Sequence, residues 1–314
     1  MDRGIDYREP GGATGRHGAG QLSEPVSIGT LWRGWRDVLS RLGFETAALD
    51  AKLLTGHGLG LDALALATRE LEPVSVDGAA SVAALVQRRM SGESVARIIG
   101  EKEFYGLAFR LNAATLEPRP DTELLVDLAI KALPQGGRLL DLGTGTGCVP
   151  IAVLAHCPDA SGLATDISSE ALGMAETNAR SNGVSERLAL AQGDWFEALT
   201  AIPSTAGDER FDVITSNPPY IASATIETLA AEVRHFDPRL ALDGGPDGLA
   251  PYRVIAAAAA HFLRPVGQVL VEIGYDQGES VSALFSRHGF AEVTVHKDLN
   301  GLDRVISAHH LRSV

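Results

Sequence analysis

Residues 139–147 of this 314-residue chain read Leu-Leu-Asp-Leu-Gly-Thr-Gly-Thr-Gly, an apolar run that ends in three alternating glycines. The run is typical of a buried strand, and the glycines predict a tight loop that opens a helix at Cys148. Glycine lets the backbone approach a ligand closely, and the free amides at a helix start favour an anionic group. The stretch therefore predicts a nucleotide-type binding site at the end of a strand.

The chain around this stretch alternates between strand and helix patterns. Apolar runs predict seven strands, at residues 138–142, 162–166, 188–192, 211–215, 266–273, 291–297 and 304–308. Helical patterns fall between them, notably at 169–181 and 249–263. This alternation predicts an α/β fold with a Rossmann-like, doubly wound, seven-stranded sheet. Only the turn at 298–301 joins the last two strands, so the last strand is expected to be antiparallel.

Upstream of the sheet, the sequence predicts three further parts. Residues 1–25 are glycine-rich and poor in large apolar residues, which predicts a disordered leader. Residues 26–95 carry helical periodicity, with helices expected near 31–42, from 47, at 61–71 and at 79–90, and form a small N-terminal helical bundle domain. Alternating apolar residues about Tyr105-Gly106 predict a β-hairpin linker over 96–117. The sheet domain then occupies 118–314, and Asp121 is expected to cap its first helix, with Glu123 in the first turn.

Composition and charge narrow the possible partners. The net charge of −13, with nine Lys and Arg against ten Asp and Glu between Val26 and Tyr105, disfavours binding to nucleic acid. No apolar run is long enough for a membrane helix, and the charged N-terminus is unlike a signal peptide. Cys148 and Cys157 make neither a disulfide framework nor a metal-ligand cluster, so no metal is expected. We expect a cytoplasmic monomer that does not bind membranes.

The motifs after the next two strands extend the predicted nucleotide site. The G-x-G-x-G spacing of Gly143–Gly147 differs from the dinucleotide G-x-G-x-x-G and lacks the lysine of a P-loop. Asp166 ends the second strand, where a carboxylate can accept hydrogen bonds from both hydroxyls of a ribose. Asp194 and Trp195 follow the third strand. The Trp195 ring offers a stacking face, although packing against the sheet edge would also explain it.

The loop after the fourth strand carries the second motif, Ser216-Asn217-Pro218-Pro219-Tyr220. Its two prolines fix two φ angles and remove two backbone donors, so carbonyls and the Asn217 amide are left to face a neighbour. The loop predicts a place that holds a planar, hydrogen-bonding group. Taken alone, an Asn-Pro dipeptide favours the simpler interpretation, a strand that ends in a stiff turn.

The two loops together resemble a known family. The glycine loop resembles the first motif of class I S-adenosylmethionine methyltransferases, and the Asn217 loop resembles their amino-methylating signature, Asn/Asp-Pro-Pro-Tyr/Phe. With residues 117–123, 193–196, 232–238, 242–248 and 298–304, they resemble the bacterial peptide chain release factor N5-glutamine methyltransferases, the HemK/PrmC family, over about 31–308. Ser94, where a proline is usual, and Glu117 depart from the family pattern.

The resemblance implies transfer of a methyl group from S-adenosylmethionine to the side-chain amide nitrogen of the glutamine in the Gly-Gly-Gln motif of class 1 release factors, which modulates translation termination. S-adenosylhomocysteine would be the product, and the helical domain would recognise the substrate. The implied cofactor-binding residues are Gly143, Thr144, Gly145, Thr146, Gly147, Asp166, Asp194, Trp195 and Asn217. The implied substrate-binding residues are Asn217, Pro218, Pro219 and Tyr220, with Asn217, Pro218 and Tyr220 catalytic.

Other functions stay open at this point. An amino-methyltransferase acting on adenine or guanine of nucleic acid, or on a ribosomal-protein glutamine, would carry similar loops. A catalytically silent binding module would be expected to have a damaged glycine or acceptor loop, and both are intact. No general base is required for amide methylation, and His235 is expected to lie on the surface rather than in the site.

Overall fold

The computed structural model describes residues 26–200 and 210–309, so the predicted disordered leader, residues 1–25, lies outside the described residues. The chain divides into two compact units, Met1–Ala83 and Ala84–Val314. The boundary between these two units falls within a helix. The functional division into recognition domain, linker and methyltransferase domain stays a prediction.

The first unit is helical, as predicted. Its helices are α1 (Ile28–Arg41), α2 (Ala47–Leu59), α3 (Ala63–Thr68) and the first part of α4 (Val76–Met90). Trp32 is buried, and its indole N–H donates to the Glu70 carboxylate at 3.2 Å. Helix α3 is shorter than the predicted 61–71 at both ends: the Asp62 side chain accepts from the Ala65 amide at 2.7 Å and caps its start, and Arg69 caps its end.

The second unit begins with the end of α4 and a hairpin. Its next elements are α5 (Val95–Ile99), β1 (Glu101–Phe104) and β2 (Leu107–Arg110). The hairpin about Tyr105-Gly106 is confirmed, but residues 96–99 are helical rather than part of it. The reason is Ser94, whose hydroxyl accepts from the Arg97 amide at 3.2 Å and caps α5. The same hydroxyl donates to Glu117 at 2.7 Å, so the two departures from the family pattern contact each other.

The predicted seven-stranded sheet is confirmed. Its elements in chain order are α6 (Glu123–Ala132), β3 (Arg138–Leu142), α7 (Cys148–His156), β4 (Ser161–Asp166), α8 (Ser169–Ser181), β5 (Leu188–Gln192), α9 (Glu197–Thr200), β6 (Phe211–Ser216), α10 (Ala231–Phe236), α11 (Ala250–Phe262), β7 (Leu263–Glu272), α12 (Gly278–Arg287), β8 (Glu292–Lys297) and β9 (Asp303–His309). The strand order is β5-β4-β3-β6-β7-β9-β8, and β9 runs antiparallel to both of its neighbours.

Alternate residues of the central strands build the two layers of the core. Leu139 of β3 is buried with the helices α6 and α7 and with Phe109 of the hairpin. Leu140 points to the opposite face, where it is buried with Ile255 of α11 and Phe285 of α12. Because side chains alternate across a strand, a continuous apolar run can fill both faces of a parallel sheet.

The strand order places the two loop motifs next to each other. The chain order reverses between β3 and β6, and in this pairing Leu142 lies opposite Ser216. The glycine loop that follows Leu142 and the acceptor loop that follows Ser216 therefore leave the sheet side by side. In doubly wound sheets this reversal point is where a ligand crevice opens.

The expected role of Asp121 as a helix cap is wrong. Residues Pro120–Thr122 form a 3-10 turn, and α6 begins after it without a side-chain cap. The Asp121 carboxylate instead forms an ion pair with Arg304 at 3.2 Å. Within residues 26–200 and 210–309, no helix has the length and apolar character needed to cross a membrane.

Candidate active site

A cleft of about 540 Å³ opens at the carboxyl ends of β3, β4, β5 and β6. The predicted site residues that line it are Gly143, Thr144, Gly145, Thr146, Asp166, Asp194, Trp195, Asn217 and Pro219. The structure thus brings together residues that are spread over seventy-five positions of the chain (143 to 217). Gly147, Pro218 and Tyr220 are not among the lining residues, so the ligand contacts assigned to them stay predictions.

The glycines of the first loop have different tasks. All three have positive φ, at 70° for Gly143, 56° for Gly145 and 78° for Gly147. A Cβ on Gly145 would meet no atom within 4 Å, because this glycine faces the cleft. A Cβ on Gly147 would lie 2.8 Å from a methyl of Ile151 and 3.2 Å from that of Ala175. Gly145 therefore leaves space for a ligand, whereas Gly147 lets the start of α7 pack closely.

Asp166 holds the glycine loop and still has capacity for a ligand. One carboxylate oxygen accepts from the Gly145 amide at 2.8 Å, and the other accepts from the Ser168 amide at 2.9 Å. An ionised carboxylate offers about four lone-pair sites, so two remain for the hydroxyls of a ribose. The side chain is half-buried and lines the cleft, as its predicted role requires.

Trp195 lies on the wall of the cleft in an unusual backbone conformation. Its φ is 46°, which is rare for a bulky residue and marks a backbone that the surroundings hold in place. Gly193, two residues earlier, permits this turn, since a Cβ there would lie 2.7 Å from the backbone of Ala198. The ring packs in part against the core and in part faces the cleft, beside the exposed Asp194.

The acidic floor of the cleft is a feature that sequence reasoning missed. Asp141, within the fold-deciding strand, is buried and accepts from the Thr215 hydroxyl at 2.7 Å. Burial raises the pKa of its carboxyl to about 7. The signal was present in the sequence, because a carboxylate inside an apolar strand is costly unless it has a partner.

The acceptor loop is held from two sides. The Asn217 side-chain NH₂ donates to the Thr122 hydroxyl at 3.2 Å, and that hydroxyl donates to the Glu272 carboxylate at 2.6 Å. On the other side, the Gln277 amide donates to the Tyr220 carbonyl at 3.1 Å. The Tyr220 ring packs against the core, and burial raises the pKa of its hydroxyl.

Two other side chains with potentially reactive groups, Cys148 and His235, are not candidates for a catalytic role. Desolvation, together with the carboxyls of Asp141 and Glu272, raises the pKa of the Cys148 thiol to about 12, so this residue packs rather than reacts. His235 is exposed at the end of α10, as expected. In the parts of the chain that the structure describes, no three His, Cys, Asp or Glu side chains are grouped so as to hold a metal ion.

The lining residues fit S-adenosylmethionine. A carboxylate with free acceptor sites suits ribose hydroxyls, the Trp195 face suits a purine, and the acidic floor suits a cationic amino-acid tail. The fold and the site thus define a methyltransferase of the Rossmann-like class, with S-adenosylmethionine as the methyl donor.

Comparison with known proteins shows the family. Residues 30–100 match the family model described as the PrmC N-terminal domain, and residues 120–237 match the methyltransferase small domain. The release factor glutamine methyltransferase of Agrobacterium fabrum is 45% identical over 278 residues, which cover 87% of this chain and 93% of that protein. The Caulobacter vibrioides enzyme of the same name is 42% identical, with coverages of 90% and 96%. The chain belongs to the family of release factor glutamine methyltransferases.

Among solved structures, the chain is similar to the release-factor-specific protein-(glutamine-N5) methyltransferase of Alicyclobacillus acidocaldarius. The two are 31% identical with a TM-score of 0.37, over 62% of this chain and 94% of that one.

Proposed function

We propose that this protein transfers a methyl group from S-adenosylmethionine to the side-chain amide nitrogen of a glutamine in a peptide chain release factor. The observation that carries the proposal is the placement of Asn217 at the cofactor cleft, through the pairing of Leu142 with Ser216. An amide side chain at that place matches an amide substrate, because each can donate to and accept from the other. The names of the relatives point to the same substrate.

The donor would be held by three groups of the chain. Asp166 would accept hydrogen bonds from the ribose hydroxyls, Trp195 and Asp194 would border the purine, and Asp141 would oppose the positive charge of the amino-acid tail. The Gly143–Gly147 backbone lets the tail approach the helix start closely. When bound, the sulfonium supplies an electrophilic methyl group. These residues orient the donor and exclude water from the transfer.

The acceptor needs positioning more than activation by a base. A glutamine amide nitrogen is a poor nucleophile because its lone pair is delocalised into the carbonyl. The Asn217 side-chain oxygen and the Pro218 carbonyl each accept one N–H of this amide, and Tyr220 borders its plane. Alignment of two bound reactants can lower a barrier by about 7–11 kcal/mol, which is enough to dispense with a general base. After transfer, S-adenosylhomocysteine would be left as the product, and the methylated nitrogen would lose one proton to water.

The partner and setting follow from the substrate. The N-terminal helical domain contributes to recognition of the release factor, and the enzyme acts as a cytoplasmic monomer without direct binding to nucleic acid. The glutamine is the one in the Gly-Gly-Gln motif of class 1 release factors, so methylation modulates translation termination.

The test uses purified full-length protein, labelled S-adenosylmethionine and a release factor with an intact Gly-Gly-Gln motif. Mass spectrometry should find one added methyl group on that glutamine, and a release factor with Glu in its place should gain none. In Asn217→Ala, most of the cofactor affinity should survive while transfer falls by orders of magnitude, whereas Asn300→Ala, in an exposed turn, should retain full activity. Label on RNA or DNA, but not on the release factor, would contradict the proposal.

A further inference from the structure

We propose that Thr122 and Glu272 are positioning residues that fix the side-chain amide of Asn217 with its oxygen toward the acceptor. This inference rests on the proposed amide methylation and adds two residues from outside the acceptor loop. Thr122 precedes α6 and Glu272 ends β7, which places them 95 and 55 positions from Asn217. Neither residue was assigned a role by the sequence motifs.

The three side chains form a short hydrogen-bonded chain beneath the cleft. Glu272 is 1% exposed and Thr122 is 2% exposed, so water does not compete for their polar atoms. The Thr122 hydroxyl donates to Glu272 Oε2 at 2.6 Å and accepts from Asn217 Nδ2 at 3.2 Å. Thr122 and Asn217 also line the cleft, so this series of hydrogen bonds ends where a substrate would bind.

The direction of these bonds follows from the donors available. An ionised carboxylate can only accept, so the single hydroxyl hydrogen of Thr122 goes to Glu272. The Thr122 oxygen then offers lone pairs alone to its other neighbour. The NH₂ group of Asn217 satisfies them, whereas a flipped amide would set two oxygens against each other without a hydrogen. Asn217 Oδ1 is thereby turned away from Thr122 and is left to accept from a substrate amide.

The position of Glu272 is costly for stability. Burying a carboxylate is unfavourable unless it is paired, and an apolar side chain of similar size would be expected to pack at least as well at the end of a central strand. Buried ionisable groups with perturbed pKa values concentrate at functional sites for this reason. We infer that Glu272 is kept, despite its cost in stability, because it orients the Asn217 side chain.

The ionisation state of Glu272 controls which groups donate and which accept in these hydrogen bonds. Burial raises the pKa of Glu272 to about 7, although the Thr122 hydrogen bond and the charges of Arg304 and Arg119 favour the ionised form. Asp121 acts against ionisation, and Tyr220, Tyr252 and Cys148 are the other titratable groups whose charge is coupled to Glu272. A protonated Glu272 can donate to Thr122, which frees the hydroxyl to donate to Asn217 Oδ1. The amide can then flip, so kcat should rise with pH through about 7.

The decisive comparison is Thr122→Val against Thr122→Ser in the full-length enzyme. Valine keeps the shape but removes the hydroxyl, whereas serine keeps the hydroxyl. With labelled S-adenosylmethionine and an intact release factor, we expect kcat to fall at least tenfold in Thr122→Val and to recover to within threefold in Thr122→Ser. The dissociation constant of S-adenosylmethionine, measured by calorimetry, should stay within about twofold of the wild-type value in both.

Glu272→Gln provides the second measurement and does not depend on the fold of the valine variant. A glutamine amide can either donate or accept, so it no longer dictates the direction, and kcat should fall while its rise with pH near 7 disappears. Full kcat in Thr122→Val, or an unchanged pH profile in Glu272→Gln, would overturn the inference while leaving the proposed function intact. A wild-type enzyme that methylates no glutamine would instead refute the proposed function, and the inference with it.

Discussion

Gly145 and Gly147 lie two residues apart in the same loop, and the structure predicts different consequences when each is replaced by alanine. Gly145→Ala should mainly weaken cofactor binding, and Gly147→Ala should mainly lower stability. Both have positive φ, at 56° and 78°, so either alanine costs about 1–2 kcal/mol of backbone strain. Gly145 faces the cleft and has nothing within 4 Å of an added Cβ. The strain is therefore the whole stability cost of Gly145→Ala, but its methyl group occupies space that the cofactor needs.

Gly147→Ala carries a further cost from packing. The new methyl would lie 2.8 Å from Ile151 Cδ1 and 3.2 Å from the Ala175 methyl, whereas carbon atoms prefer about 3.5–4.0 Å. Both neighbours are buried, and overpacking of such a site typically costs a further 1–3 kcal/mol or so. The expected loss for Gly147→Ala is about 2–5 kcal/mol, against about 1–2 kcal/mol for Gly145→Ala.

Two measurements separate the roles. Urea unfolding followed by circular dichroism should rank Gly147→Ala as clearly less stable than Gly145→Ala. Calorimetric titration with S-adenosylmethionine should give at least a tenfold weaker affinity for Gly145→Ala, about 1.4 kcal/mol, and little change for the folded Gly147→Ala protein. Equal losses of stability, or a loss of affinity confined to Gly147→Ala, would refute this division between ligand space and helix packing.

Other changes have equally definite outcomes. Arg97→Ala removes the partner that lies 2.6 Å from the Asp237 carboxylate and leaves only the more distant Arg119, at 3.5 Å, so it should lower the free energy of unfolding by about 1.5–3 kcal/mol in urea titrations; a loss below about 1 kcal/mol would contradict a stabilising role for the Arg97–Asp237 pair. Asp141→Asn should weaken S-adenosylmethionine binding at least tenfold in calorimetry without lowering the melting temperature at pH 8, since burial raises the pKa of this carboxyl to about 7. For Glu272 the folded pKa of about 7 exceeds the ordinary 4.5, so wild-type stability should fall as pH rises between these values. Glu272→Gln should show a shallower decline, since only the share of Asp141, whose folded pKa is also about 7, remains, and it should gain up to about 3 kcal/mol over the wild type at pH 8 in urea unfolding, at 1.36 kcal/mol per pKa unit; an equally steep decline in both proteins would exclude Glu272 as a source.

Local patterns predicted the elements well where neighbouring residues alone decide them. Strand β5 and helix α8 have the predicted bounds, and the Tyr105-Gly106 turn lies where the alternation placed it. These features depend on periodicity and on turn chemistry within a few residues. The helix over Val95–Ile99 was not predicted from the sequence. This helix is also decided locally, by its N-cap Ser94, which is a residue that departs from the family pattern.

Predictions failed or stayed incomplete where the partner is distant in the chain. Asp121 resembled a helix cap, but its carboxylate pairs with Arg304, 183 positions further on (304 − 121). The ligand contact of Gly147 stays a prediction, and the sequence did not indicate the close packing of this glycine against Ile151 and Ala175. The apolar strand around Asp141 indicates that its carboxyl needs a partner, but that partner, Thr215, is 74 positions away and is identified only in the folded chain.

The sequence by itself determined the class of fold, the donor loop and the acceptor loop, because strand periodicity, glycine spacing and the two prolines are local properties of the chain. The tertiary structure decided which residues those loops meet. The reversal of strand order between β3 and β6 sets Asn217 beside the glycine loop, and the burial of Thr122 and Glu272 beneath it determines which way its amide faces. Hydrogen-bond direction in a dry site depends on neighbours brought together by folding, so it can be read only from the folded chain.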